Sequence, residues 1–100
     1  MPKLYELAHC RAGDKGDTSI LSLIAYRQES YELLAERVTV EAVRAHLGDI
    51  VRGEIVRYEL PQLGALQFVC ALALAGGVTT SLSLDAHGKA LSYALLQMEI

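Results

Sequence analysis

The densest run of chemistry-bearing residues is "RAGDKGDTS", Arg11 to Ser19, set between two apolar segments. Its glycines, Gly13 and Gly16, accept positive φ and can turn successive backbone N–H groups toward one point, the arrangement that cradles an anion. Arg11 and Lys15 would add positive charge beside such a cradle. Asp14 and Asp17 oppose it unless each carboxylate is neutralised by those cations or by backbone donors. The spacing is not that of a GxxxxGK[ST] phosphate loop. The same carboxylates with the Thr18 and Ser19 hydroxyls form a set of hard oxygen ligands, but the run lacks the dense acidic pattern of a calcium loop, so no metal is assigned. A purely structural reading uses the same residues, with Asp14 closing an Asx turn, Asp17 capping the next element and Lys15 solvated. The candidate ligand-binding set is therefore Arg11, Gly13, Asp14, Lys15, Gly16 and Asp17. For catalysis the candidates are Asp14 or His9 as base and Lys15 as electrostatic stabiliser.

The remaining chemistry-bearing residues are scattered. His87 lies far along the chain, and His46 falls in the last turn of an expected helix, where the helix dipole favours a cap. Cys10 and Cys70 match no CxxC or Cys/His metal spacing and read as two reduced, buried thiols. No Ser-His-Asp order, nucleophile elbow or dinucleotide fingerprint is present, and no cofactor is expected.

The chain of 100 residues has the size of one domain, 1–100, able to bury roughly 60–65% of its unfolded surface. Hydrophobic residues make up 52% against 21% charged, which excludes a disordered chain and points to a well-filled core or a sizeable oligomer contact. The formal charge is −3 with the basic residues dispersed, so nucleic acid is not an expected partner. The start "MPKLYELAHC" lacks the succession of a signal peptide, and the apolar run from Leu63 to Ala75 is too short to cross a bilayer. A soluble cytoplasmic protein without a membrane partner is expected.

The elements that must position the polar stretch follow from periodicity. Lys3 to Arg11 reads as a strand, with Leu4, Ala8 and Cys10 on one side and Tyr5, Leu7 and His9 on the other. Ser19 to Tyr26 reads as a second, buried strand. From Glu29 to Arg37, Tyr31, Leu34 and Val38 recur at helical spacing. Thr39 caps a second helix with Val40, Val43 and Leu47 inside, stopped by Gly48. Glu54 to Leu60 alternates as a strand with Val56, Tyr58 and Leu60 on one face and Arg57 and Glu59 on the other, ended by Pro61. "LGALQFVCALALAGG" is apolar almost all round and reads as a buried helix. Val78 to Leu84, the turn "DAHGK" and the return of Leu91, Tyr93 and Leu95 read as a hairpin. Together they predict an α+β two-layer sandwich, a mostly antiparallel sheet with helices on one face, resembling ferredoxin-like folds. Its unpaired edge or exposed face would serve a homo-oligomer.

The motifs "AHCRAGDKGDTS", "HLGDIVRGEIVRYELPQLGALQFV", "LAGGVTTSL" and "LDAHGKALSYALLQMEI" resemble the small domain at the end of AtuA, the acyclic terpene utilisation protein, over nearly the whole chain. The resemblance implies a ferredoxin-like fold, no settled activity, and a setting near acyl-CoA enzymes, with an AtuA-type or acyl-CoA enzyme as partner. GDKGD, the most specific element of that family, is complete at residues 13–17, and Arg11 fits it as well. Ala12 and Ile20 stand where the family often carries Ser and Asn. Arg52-Gly53, Tyr58 to Pro61, Gly64 to Leu66, Gly76-Gly77 and Asp85 to Lys89 resemble fold signatures of the family. The leading expectation is an accessory or ligand-binding domain, oligomeric, whose GDKGD stretch recognises an anionic small molecule or a partner subunit in acyl-CoA catabolism. Two alternatives stand beside it: a small lyase, hydratase or isomerase acting on an acyl-CoA or hydroxy acid, and a purely structural oligomerisation module.

Overall fold

The computed structural model describes residues 2–15, 18–48, 51–71 and 91–100, with the backbone alone at 14 and 15. Its centre is a four-stranded sheet. β1 (Ala8–Lys15) and β2 (Thr18–Ala25) form an antiparallel hairpin. Two short helices follow, α1 (Tyr31–Arg37) and α2 (Val40–Leu47). β3 (Ile55–Leu60) and β4 (Ala65–Cys70) complete the sheet, in the spatial order β1-β2-β4-β3. β4 is antiparallel to both β2 and β3. β2 and β3 are therefore parallel, with the helices as their crossover and β4 inserted between them, a split β-α-β unit. This is an α+β architecture of ferredoxin-like kind.

Alternation along β2 builds the core. Ser19, Leu21 and Leu23 are buried, whereas Ile20, Ser22 and Ile24 are half-buried. The register carries the buried side across the sheet, with Leu21 opposite Phe68 and Leu23 opposite Leu66. Tyr31, Leu34 and Val38 from the first helical segment and Val43 and Leu47 from the second close over that face in one apolar cluster. Helix α2 starts where its sequence dictates, because the Thr39 hydroxyl accepts from the Ala42 N–H at 3.1 Å. It stops at Gly48, whose φ of +58° few side-chain-bearing residues adopt. The chain ends meet: Lys3 and Glu99 form an antiparallel bridge, the Leu4 N–H donates to the Met98 carbonyl at 2.7 Å, and the Ile100 N–H donates to the Pro2 carbonyl at 3.1 Å.

Four expectations from the sequence are corrected. The first strand does not begin at Lys3. Leu4–Glu6 is a single 3-10 turn, and the strand proper extends to Lys15, so Arg11 to Lys15 belong to an edge strand rather than to an open loop. Polar and glycine residues on a sheet edge are indistinguishable by composition from a loop. The run beginning "LGALQFVC" is strand over Ala65–Cys70, not helix; β4 has neighbours on both sides, and an interior strand loses the alternation that would reveal it. The rest of that run, residues 72–77, lies outside the described residues, as do Val78 to Leu84 and the "DAHGK" turn. The expected return strand is instead helical at residues 91–96. Leu91 and Leu95 are four apart, which satisfies both periods; the helix buries these two and leaves Tyr93 68% exposed.

The fourth correction concerns β3, whose two faces are exchanged. Ile55 and Arg57 lie on the helix side, opposite Cys70 and Phe68, while Tyr58 is 52% exposed on the other side. Arg57 is tolerated there because its Nη1 donates to the Ala35 carbonyl at 2.8 Å and the Val38 carbonyl at 3.0 Å, and its Nη2 pairs with Glu59 at 2.7 Å. Those carbonyls close α1, where a cation also meets the negative end of the helix dipole. Arg57→Met, which keeps an apolar stem but no donor, is expected to lower stability by about 2 kcal/mol. Glu59→Gln, at the exposed partner, is expected to cost under about 1 kcal/mol. Urea unfolding of the two variants checks the order.

Candidate functional site

The hairpin places the candidate stretch residue by residue. Arg11 stands opposite Ser22, Ala12 opposite Leu21, Gly13 opposite Ile20, Asp14 opposite Ser19 and Lys15 opposite Thr18. Gly16 and Asp17 lie outside the described residues. Gly13 is not a hinge, since among the described residues only Gly48 and Gly64 have positive φ. A Cβ at Gly13 would meet nothing within 4 Å, so the space above it is open. Ser19, considered as an oxygen ligand, is fully buried, and its hydroxyl donates to the Gly13 carbonyl at 3.5 Å, a long bond within the hairpin. Arg11 is exposed and has no side-chain partner among the described residues.

The side of the sheet away from the helices is arranged in rows. Arg11, Ser22, Gln67 and Tyr58 form a polar row from edge to edge, in which the Gln67 Nε2 donates to the Ser22 Oγ at 3.3 Å. Toward the hairpin end lies the row Gly13, Ile20, Val69 and Val56; toward the opposite end lies His9, Ile24, Ala65 and Leu60. The His9 ring sits 5.5 Å from that of Tyr26. Ala65 in these rows is buried, Ile20, Ser22, Ile24, Val56, Gln67 and Val69 are half-buried, and Arg11, Tyr58 and Leu60 are exposed.

The matching family model is that of the AtuA ferredoxin-like domain, over residues 2–100. The chain belongs to the AtuA ferredoxin-like domain family. Among curated proteins and among solved structures, none matches it. No helix of this AtuA ferredoxin-like domain, among the described residues, is long and apolar enough to cross a membrane.

Among the described residues, His46 is engaged in the fold and the two thiols are held protonated. His46, in the last turn of α2, donates a ring N–H to the Ala94 carbonyl at 2.7 Å and so ties α2 to the helical residues 91–96. His87 lies outside the described residues. Both cysteines are free. Burial, with a smaller contribution from Cys70, pushes the Cys10 thiol up to about 12. Burial pushes Cys70 up to about 11, against the opposing pull of Arg44. The Tyr31 hydroxyl is buried without a partner among the described residues, and burial, then the Glu59 carboxylate, raise its pKa against the pull of Arg57. Among the described residues no three of His, Cys, Asp and Glu converge as a metal site would require.

Sequence periodicity missed Arg44. Its guanidinium folds back on the chain after α2, donating to the Val51 carbonyl at 3.2 Å and to the Gly53 carbonyl. The only signal was the neighbouring Arg52-Gly53, and the glycine of that pair has a steric reason. A Cβ at Gly53 would lie 2.8 Å from the Ala71 carbonyl oxygen, and the two backbones are joined by the Gly53 N–H donating to that oxygen at 3.0 Å. Gly53→Ala is expected to cost about 1–3 kcal/mol, read as a lowered urea midpoint, because backbone must move. The raised thiols also have a measurable consequence. A thiol at about 12 holds roughly a thousandfold less thiolate at pH 8 than one at the ordinary 9.0. Iodoacetamide is expected to modify both cysteines at least about 100-fold more slowly in the folded chain than in the urea-unfolded chain.

Proposed function

We propose that this chain is an accessory, non-catalytic domain that pairs with a second copy through the open face of its sheet, and that residues 11–17 recognise an anionic group on a small molecule or a partner subunit. The observation that carries this is the contrast between the two sides of the sheet. One side is sealed by helices, while the other holds Ile20, Ile24, Val56, Val69, Tyr58 and Leu60 under no described segment.

The rows suit a two-fold pairing. An axis parallel to the strands lays each row on its own reversed copy, so apolar rows meet apolar rows and Ser22 meets Gln67. Arg11 of one copy then comes over Tyr58 of the other, a cation–π contact at the rim. The polar row fixes the register and the apolar rows supply the burial. Arg11, an exposed edge-strand cation at the rim of that pairing, supports capture of a phosphate or carboxylate such as an acyl-CoA ester carries. A lyase, hydratase or isomerase would draw its base from Asp14 or His9, of which the His9 ring lies 5.5 Å from that of Tyr26.

Sedimentation equilibrium is expected to find a dimer in the micromolar range. Tyr58→Asp, at an exposed position on an edge strand, is expected to weaken it at least about tenfold. A wild-type chain that stays monomeric at about 100 µM, or a Tyr58→Asp chain that associates unchanged, would overturn the pairing. Coenzyme A esters and inorganic phosphate are expected to raise the wild-type Tm, and less so in Arg11→Ala and Lys15→Ala; equal shifts in all three would refute recognition by the hairpin.

A further inference from the structure

Of the two histidines among the described residues, His46 belongs to the helix layer and His9 stands in the rows of the sheet's other side. His9 is half-buried at the head of the row His9, Ile24, Ala65 and Leu60, with its ring 5.5 Å from that of Tyr26 and tilted by 35°. The rest of that row is apolar. In the three rows together, Arg11 is the residue that carries charge at neutral pH. Histidine is the side chain whose ordinary titration falls between about pH 5 and pH 8, so His9 can add a second charge within that range.

The charged groups around His9 are placed by the fold. Arg11, two residues along β1 and on the same side, is about 7 Å away along the strand and carries the same sign as a protonated ring. Glu6, Arg27 and Glu29 line a small concavity with Tyr26 at this end of the sheet. The Glu6 carboxylate accepts from the Lys3 N–H at 2.9 Å, and Glu29 lies 3.5 Å from Arg27. On β3, Glu59 stands opposite Leu66 on the helix side and holds Arg57 at 2.7 Å. That strand therefore turns Tyr58 and Leu60 to the side where His9 stands.

We propose that protonation of His9 separates paired copies of this chain, so that the domain is a dimer at neutral and higher pH and a monomer below about pH 6. The inference rests on the face-to-face pairing proposed above. In that pairing β1 of one copy lies over β3 of the other, which brings each His9 onto Leu60 of the second copy. A neutral imidazole fits such a contact. An imidazolium loses hydration against the leucine, while Tyr58 and Leu60 of the facing strand supply no counter-charge and Arg11 beside it repels. The two-fold symmetry doubles the effect. Linkage fixes the sign: the monomer takes up these protons more readily than the dimer, so association weakens as pH falls. Asp and Glu side chains, ordinarily titrating near pH 4, keep their charge throughout this range.

Sedimentation equilibrium of the full chain at about pH 8 and about pH 5.5, at constant ionic strength, tests this, with far-UV spectra to show that the fold persists at both. The wild-type dissociation constant is expected to rise at least about tenfold at the lower pH. His9→Gln, polar but neutral at both values, is expected to remove the dependence and keep its two constants within about threefold of each other. Equal wild-type constants at the two values overturn the inference, as does a pH dependence that survives His9→Gln or a far-UV spectrum that collapses at the lower pH. A wild-type chain that is monomeric already at the higher pH overturns the pairing itself, an outcome visible before any change of pH.

Discussion

Everything in this fold is laid on one surface, the inner face of β2 and β4, where Leu21 meets Phe68 and Leu23 meets Leu66. All four of these side chains are fully buried. A sheet of this size is stable only if one face is removed from water, and the two central strands supply most of what can be removed. Both helices press against that surface, and Leu4 and Met98 bring the two ends of the chain into the same cluster. The edge strands then need little apolar character on that side, which is why β3 can place a guanidinium there and β1 can run out into glycine and charge.

How much of this was legible depends on whether a side chain's chemistry matched its surroundings. β2 was read correctly because an interior strand with Ser22 on its outer face still alternates. The two helices were read correctly because Tyr31, Leu34, Val38, Val43 and Leu47 repeat at 3.6 residues and Thr39 marks a start. β4 was misread because Gln67 is its one polar residue, too little to show a period of two. β3 was turned over because Arg57 counts as polar in any pattern, although the end of α1 supplies the acceptors that make its burial tolerable. Leu91 and Leu95 satisfy two periods at once. In each failure the deciding partner lay far away in the chain.

The candidate site was legible in part. Glycine-bracketed charges marked residues 11–17 as unusual, and Arg11 does stand exposed on the side of the sheet that the helices leave bare. What composition could not convey is that Gly13 is ordinary extended strand, so residues 11–15 of the stretch start from regular edge strand. Arg44 was illegible for the opposite reason. On a helical wheel it is one more solvated residue, and only the return of the chain at residues 51–53 supplies the carbonyls that hold it. The two thiols, Cys70 buried and Cys10 half-buried, also show how a fold can remove chemistry, since apolar packing keeps both protonated where an exposed thiol would begin to react.

The meeting of the chain ends has a topological consequence. If residue 100 were spliced to residue 2 and the link between β1 and β2 opened, the described elements would read β2, helices, β3, β4, the helical residues 91–96, then β1. That is the β-α-β-β-α-β succession by which ferredoxin-like domains are defined. The described elements are thus a circular permutation of that succession, with the last strand delivered first. The sheet is indifferent to where the thread is cut.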